Sequence, residues 1–165
     1  MKPAAATSFN LYDLFASVAG AVGDREAAVQ GGRRLSYREL DDRSRRLATA
    51  LAARGVGPGD HIGLQLQNST EYLEGMLAAF LLRAVPVNVN YRYVADELRY
   101  LYADADLVAL VHEPAFASNV DLARAGISGL RATLMRGESY EASLAAVEPL
   151  DPASVPGRSG EDRYI

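Results

Sequence analysis

Tyr91-Arg92-Tyr93 and Arg99-Tyr100 interleave cations with aromatic rings, the combination that neutralises phosphates and stacks on bases. Asp96, Glu97, Asp104 and Asp106 crowd the same stretch. Their charges spoil the positive field that a nucleic acid needs, so the ordinary use of these residues is tyrosines packing a helix with arginines in solvent. A narrower chemistry stays open at Arg92. It follows the strand pattern Val85 to Val89, and ligands of open α/β sheets gather beyond the carboxyl ends of strands. A single phosphate contact by Arg92 is therefore the alternative use.

The remaining motifs carry less. Gly55, Gly57 and Gly59 have the density of a phosphate loop, but a dinucleotide fingerprint runs G-x-G-x-x-G from a strand into a helix. Here the glycines run from a helix into a strand, which reads as a helix cap and a turn. No G-x-x-x-x-G-K-[ST] occurs, and no glycine-rich segment opens a helix after a strand, so no run of backbone donors wraps a triphosphate. His61 and His112 are the only histidines, and neither has a carboxylate or second histidine at ligand spacing. Gly126-Ile127-Ser128-Gly129 is one residue short of a nucleophile elbow, and no Asp and His follow in the order a hydrolase triad requires. Asn68-Ser69-Thr70 matches a glycosylation acceptor, yet Asn68 is better used as a helix cap. These readings assign no catalytic residue and no metal ligand.

The elements that would position Arg92 follow from hydrophobic period and punctuation. Leu11, Leu14, Phe15, Val18 and Val22 recur at helical spacing behind Asn10, with Asp13 three residues on and Gly23 as a stop. Glu26 to Gln30 and Arg33 to Leu35 form a hairpin if Gly31-Gly32 supplies two positive-φ positions. Ser36 and Glu39 make a capping box, and Leu40, Leu47, Ala48 and Leu51 mark the buried face of the helix that follows, to about Arg54. His61 to Gln67 reads as a strand. From Tyr72, the residues Leu73, Met76, Leu77, Phe80 and Leu81 wrap most of a helix with no charge between Glu74 and Arg83, which places that helix centrally. Val85 to Val89, Leu107 to Val111 and Leu130 to Met135 read as further strands. Helices are expected around Ala95 to Tyr102, from Pro114 to Arg124, and from Tyr140 to Val147.

Alternating strands and helices call for parallel pairing through long crossovers. The expected fold is α/β: an open, mainly parallel sheet with helices on both faces and a small N-terminal antiparallel ribbon. Residues 1–147 make the α/β unit. Residues 148–163 lose the apolar period and gain prolines and glycines, as a surface linker does, and Tyr164-Ile165 reads as the start of a strand that is cut short.

Composition agrees with a globular chain. With 165 residues, 49% of them hydrophobic, a real core is within reach. A net charge of −4 argues against nucleic acid as a partner, and the absence of cysteine removes disulfides and thiolate chemistry together. The longest apolar stretch, Gly75 to Leu82, falls far short of the roughly 20 residues needed to cross a bilayer, so no transmembrane segment is expected. Nothing near Met1 has the form of a signal peptide, which points to the cytoplasm.

Three stretches, in order, resemble the adenylate-forming acyl-CoA synthetases, the fatty-acid–CoA ligases. They are Leu35-Ser36-Tyr37-Arg38-Glu39-Leu40, Gly55-Val56-Gly57-Pro58-Gly59-Asp60-His61-Ile62, and Leu82 through Arg92, the last followed by a similar helix at Glu97-Leu98. Arg83-Ala84 departs from that pattern, in which many members place a glycine. The resemblance, from about Asn10 to Ile165, implies part of the large N-terminal domain of a longer enzyme. That enzyme joins a carboxylic acid, typically fatty, to CoA, using ATP and Mg2+ and passing through an acyl-adenylate with release of pyrophosphate. It also implies that the phosphate loop and the catalytic lysine lie beyond Ile165, so this chain alone binds none of these cofactors and is expected to be inactive. Arg92 then occupies a place where some members direct a basic residue toward CoA phosphates.

Two other classes stay open at this stage. One is a naturally shortened, non-catalytic interaction protein; the other is a small flavodoxin-like binding module, which strand ends at Gln67-Asn68 and Asn88-Val89-Asn90 fit poorly. Self-association through exposed apolar surface is expected of either a fragment or a shortened protein.

Overall fold

The computed structural model describes residues 9–163. Helix α1 (Leu11–Val22) opens where the Asn10 side chain accepts the Asp13 N–H at 3.0 Å. The same side chain is buried and donates to the Phe80 carbonyl at 2.8 Å, so one residue caps a helix and ties it to another. Strands β1 (Glu26–Gln30) and β2 (Arg33–Ser36) pair antiparallel with Gln30 opposite Arg33. Of the two turn glycines only Gly31 has positive φ, at 56°. This corrects the expectation of two such positions: the φ pattern is that of a type II′ turn, which needs it only at the first central residue. Helix α2 (Tyr37–Ala52) starts on the expected Ser36–Glu39 capping box, with both reciprocal bonds formed.

The main sheet has the order β4-β3-β5-β6, and all of its pairs are parallel. Strand β3 (His61–Gln65) leads to helix α3 (Thr70–Leu82), β4 (Val85–Asn88) to α4 (Ala95–Asp104), β5 (Leu107–His112) to α5 (Ala117–Arg124), and β6 (Ala132–Met135) to α6 (Glu138–Ala145). The cap of α3 is Ser69, whose hydroxyl accepts the Tyr72 N–H at 3.2 Å. Asn68 is not the cap that its position suggested; the serine next to it takes the role, and the Asn68 carbonyl accepts from Gln30 Nε2 at 2.8 Å.

Alternation along the strands sorts the core into two layers. Ile62, Leu64, Val111 and Leu134 face α1, α2, α3 and α6, while Val87 and Leu110 face α4 and α5. A bulge beside His61 and Ile62 lets Leu107 and Leu110, three residues apart, share that second layer. Gly63 makes this packing possible: a Cβ there would lie 2.8 Å from both leucine Cδ1 atoms. Helices thus cover both faces, as the alternation required.

Residues after α6 run over the surface but do not hang free. Thr49 Oγ1 donates to the Glu148 carbonyl at 2.7 Å and Arg45 Nε to Leu150 at 2.7 Å. Arg158 pairs with Asp13 at 2.9 Å, and Asp162 with Arg83 at 3.0 Å. Arg83 is the left-handed C-cap of α3, with φ 59°. A glycine would adopt that conformation without strain, but the arginine here also pairs with Asp162. The proposed strand at Tyr164-Ile165 lies outside the described residues. Among the described residues no helix is long and apolar enough to cross a membrane.

Candidate functional site

Four loops meet at the carboxyl edge of the sheet, and their chemistry divides it into two halves. On the β3 and β4 side, Gln67, Asn68, Tyr72, Asn88, Asn90 and Tyr91 line an open groove of about 620 Å³. The loop after β4 is shaped by Asn90, whose Oδ1 accepts the Arg92 N–H at 3.0 Å and whose carbonyl accepts the Tyr93 N–H at 3.2 Å. Side-chain acceptance of this kind fixes a tight turn. Tyr91 stacks on Phe116 from the loop after β5, with ring centres 6.0 Å apart and planes 18° apart. The Arg92 guanidinium lies 5.7 Å from the centre of the Tyr91 ring.

Arg92 is exposed, and among the described residues no carboxylate pairs with it. Its acidic neighbours are otherwise engaged: Asp96 holds Arg99 at 2.7 Å, and Glu97 accepts the Val94 N–H at 3.0 Å. The structure therefore leaves a cation at the carboxyl end of β4 with its charge uncancelled.

On the β5 and β6 side the charges are paired and largely buried. Three guanidiniums, of Arg33, Arg43 and Arg136, face the carboxylates of Glu71, Glu74, Glu113 and Glu141. Arg43 grips Glu74 through Nε at 2.7 Å and Glu141 through Nη2 at 2.7 Å. Tyr140 donates to Glu74 at 2.6 Å. Burial, then the adjoining Glu74 carboxylate, push the Tyr140 hydroxyl well above its ordinary pKa, so it stays a donor. Arg136 bridges Glu71 at 3.0 Å and Glu113 at 3.0 Å. This cluster joins the ribbon, α2, α3, α6 and the ends of β5 and β6. It was not foreseen from sequence; the one available signal was Glu71 and Glu74, three apart on a helix otherwise bare of charge.

These pairs set the acid stability. Burial alone would raise the Glu71 carboxyl, but its own backbone N–H and the Arg136 and Arg33 guanidiniums outweigh that and hold it below its usual range. The Arg43 hydrogen bond does the same for Glu141. Carboxyls depressed in the folded state contribute stability above their unfolded pKa, about 4, and lose it as pH falls through the lower folded value. Burial also lowers the His112 imidazole, and its Nδ1 donates to the Glu113 carbonyl at 2.9 Å. A base kept neutral by folding destabilises the protein once pH drops below its unfolded pKa of about 6.5. Urea midpoints are thus expected to decline from about pH 6.5 and more steeply below about pH 4. Glu71→Gln should flatten the lower limb only, and an unchanged slope in that variant would count against the assignment.

Sequence-flagged residues elsewhere have structural uses. His61 Nδ1 donates to the Ala105 carbonyl, and Gly55 and Gly59 take positive φ in the turns that precede β3. Among the described residues no three histidines or acids converge to hold a metal ion.

A parallel sheet with an open groove at its carboxyl edge and helices on both faces defines an open α/β domain, and comparison makes this specific: the chain belongs to the AMP-binding enzyme family, whose model matches residues 15–157. Its relatives are acyl-CoA ligases. A 3-oxocholest-4-en-26-oate–CoA ligase of Rhodococcus rhodochrous is 34% identical over 170 residues, 96% of this chain and 30% of that enzyme. The medium-chain acyl-CoA ligase Mig of Mycobacterium avium is 40% identical over 127 residues, 69% of this chain and 23% of its own length. In fold, a Mycobacterium tuberculosis fatty acyl CoA synthetase superposes with a TM-score of 0.85 at 23% identity, covering 94% of this chain and 32% of that one. The chain thus spans less than a third of the curated relatives it matches.

Proposed function

We propose that this chain is the N-terminal part of an ATP-dependent acyl-CoA ligase that turns a carboxylate, ATP and CoA into acyl-CoA, AMP and pyrophosphate through an acyl-adenylate. The observation that carries this is the 34% identity that runs along 96% of the chain to an enzyme named for joining an acid to CoA. The relatives are named for a steroid side-chain acid and for medium-chain acids. The substrate class is accordingly an extended apolar carboxylic acid.

Within that reaction these residues divide into scaffold and one ligand contact. The loops at the carboxyl edge that lead into α3, α4 and α5 contain no glycine, so they offer ATP phosphates no nest of converging backbone amides. ATP and Mg2+ are held by segments other than these, and the 165-residue chain alone releases no pyrophosphate from fatty acid, ATP, Mg2+ and CoA. Turnover above blank would overturn that division. Arg92 holds a CoA phosphate. In the complete ligase carrying these residues, Arg92→Ala is expected to raise KM for CoA about tenfold, the range for a hydrogen bond to a charged group, with the rate of adenylate formation unchanged. An unaltered KM for CoA would remove Arg92 from the site. On the same reading the enzyme is cytoplasmic. The isolated chain self-associates through apolar surface such as Leu14 and Val18 on α1, both exposed.

A further inference from the structure

We infer that Tyr91 and Phe116 form a two-ring platform that positions Arg92 for a phosphate, with Tyr91 the positioning residue. This rests on the reading of Arg92 given above. The stack of Tyr91 on Phe116 ties the loop after β4 to the loop after β5. Phe116 is itself anchored, half-buried against the layer that contains Val120 and Leu98. The Tyr91 ring therefore inherits a fixed position although it is 43% exposed.

Arg92 is restrained at both ends. Its backbone N–H is held by Asn90 Oδ1 at 3.0 Å, and its guanidinium lies 5.7 Å from the centre of the Tyr91 ring. A long cationic side chain in solvent normally samples many rotamers and loses that freedom on binding. A ring beneath the guanidinium restricts the sampling beforehand, and a planar guanidinium stacked on an aromatic face still presents its N–H edge to an anion. Phosphate affinity then depends on a ring that makes no phosphate contact itself. The Tyr91 hydroxyl has no part in this, since both the stack and the cation contact use only the ring.

The test titrates CoA, with pantetheine as the phosphate-free control, into the complete ligase carrying these residues and follows the Arg92 Nε–H and Tyr91 ring resonances. Wild type is expected to saturate with CoA more tightly than with pantetheine. Tyr91→Ala should weaken CoA binding about two- to fivefold, the span of an exposed cation–π contact, and leave pantetheine unchanged. Tyr91→Phe should restore the wild-type value. Phe116→Leu, which keeps apolar bulk but removes the flat partner, should give part of the loss and carries the test if Tyr91→Ala fails to fold. If Arg92→Ala weakens CoA while Tyr91→Ala and Phe116→Leu do not, the platform is refuted and the Arg92 reading stands. If Arg92→Ala binds CoA as wild type does, or CoA perturbs neither residue, the reading beneath it falls as well.

Discussion

Glu74→Ala is expected to cost about 3–5 kcal/mol of folding stability, the usual penalty for removing one member of a buried ion pair. At this chain length that corresponds to a fall in Tm of roughly 10 °C or more. The Glu74 side chain is fully buried, and its loss strands two groups at once. The Tyr140 hydroxyl, 2.6 Å away, loses its acceptor in a buried site. Arg43 loses two bonds, of 2.7 and 3.2 Å, and keeps its contact with Glu141. Glu141→Ala is the control, because that carboxylate is 46% exposed and water can replace it; its cost should stay under about 1 kcal/mol. Thermal unfolding of the two variants side by side decides the matter, and equal costs would mean that the cluster is an ornament of the surface. Glu74→Gln should fall between them, since an amide oxygen still accepts from Tyr140 while the pairing with Arg43 loses its charge.

That cluster also marks where the sequence stopped being informative. Local signals were readable because each has a local cause. The Ser36–Glu39 box satisfies donors three residues apart, and the charge-free face of α3 could only belong in an interior. The parallel sheet followed because the helix between each pair of consecutive strands is the long crossover that parallel pairing requires. The partners of Glu71 and Glu74, by contrast, are Arg33, Arg43, Arg136 and Tyr140, which the chain reaches tens of residues away. No spacing rule links such positions. The same holds for the segment after α6. Its prolines and glycines identified a surface course, but Arg158–Asp13 and Asp162–Arg83 bind it across more than 70 residues of chain.

At the level of a single cap, two adequate candidates defeated the reading. Asn68 and Ser69 are both competent, and the choice of Ser69 depends on how β3 delivers the chain to α3. Arg92 was legible for the opposite reason: its placement needs only the end of one strand. Phe116, on which the neighbouring Tyr91 stacks, comes from the loop after β5 and is brought there only once strands are ordered in space. The two halves of the carboxyl edge thus differ physically. One is locked by paired charges that join the ribbon, α2, α3, α6 and the ends of β5 and β6, and the other is left open around Arg92, which has no carboxylate partner among the described residues. The locked half holds the loops beside the open groove in place, so that the groove keeps its shape.

The second large effect is expected where β3 meets α3. Leu64 is buried in the strand that has neighbours on both sides, and its Cδ2 occupies the notch left by Gly75: a Cβ built on Gly75 would lie 2.6 Å from it. Leu64→Ala should therefore cost about 3–5 kcal/mol, because lost transfer energy adds to the cavity left behind. Gly75→Ala alone should cost about 1–2 kcal/mol, overpacking being offset in part by better helix propensity. In the double variant the two errors meet. The methyl at position 75 enters the space that Leu64 vacated, and the helix gain is no longer opposed. Urea unfolding of the four proteins is expected to show that the double variant is more stable than the sum of the single costs predicts, by about 1 kcal/mol or more. Strict additivity would mean that Leu64 relaxes away from residue 75 without cost. The absence of a side chain at Gly75 would then be no condition for the close approach of strand and helix.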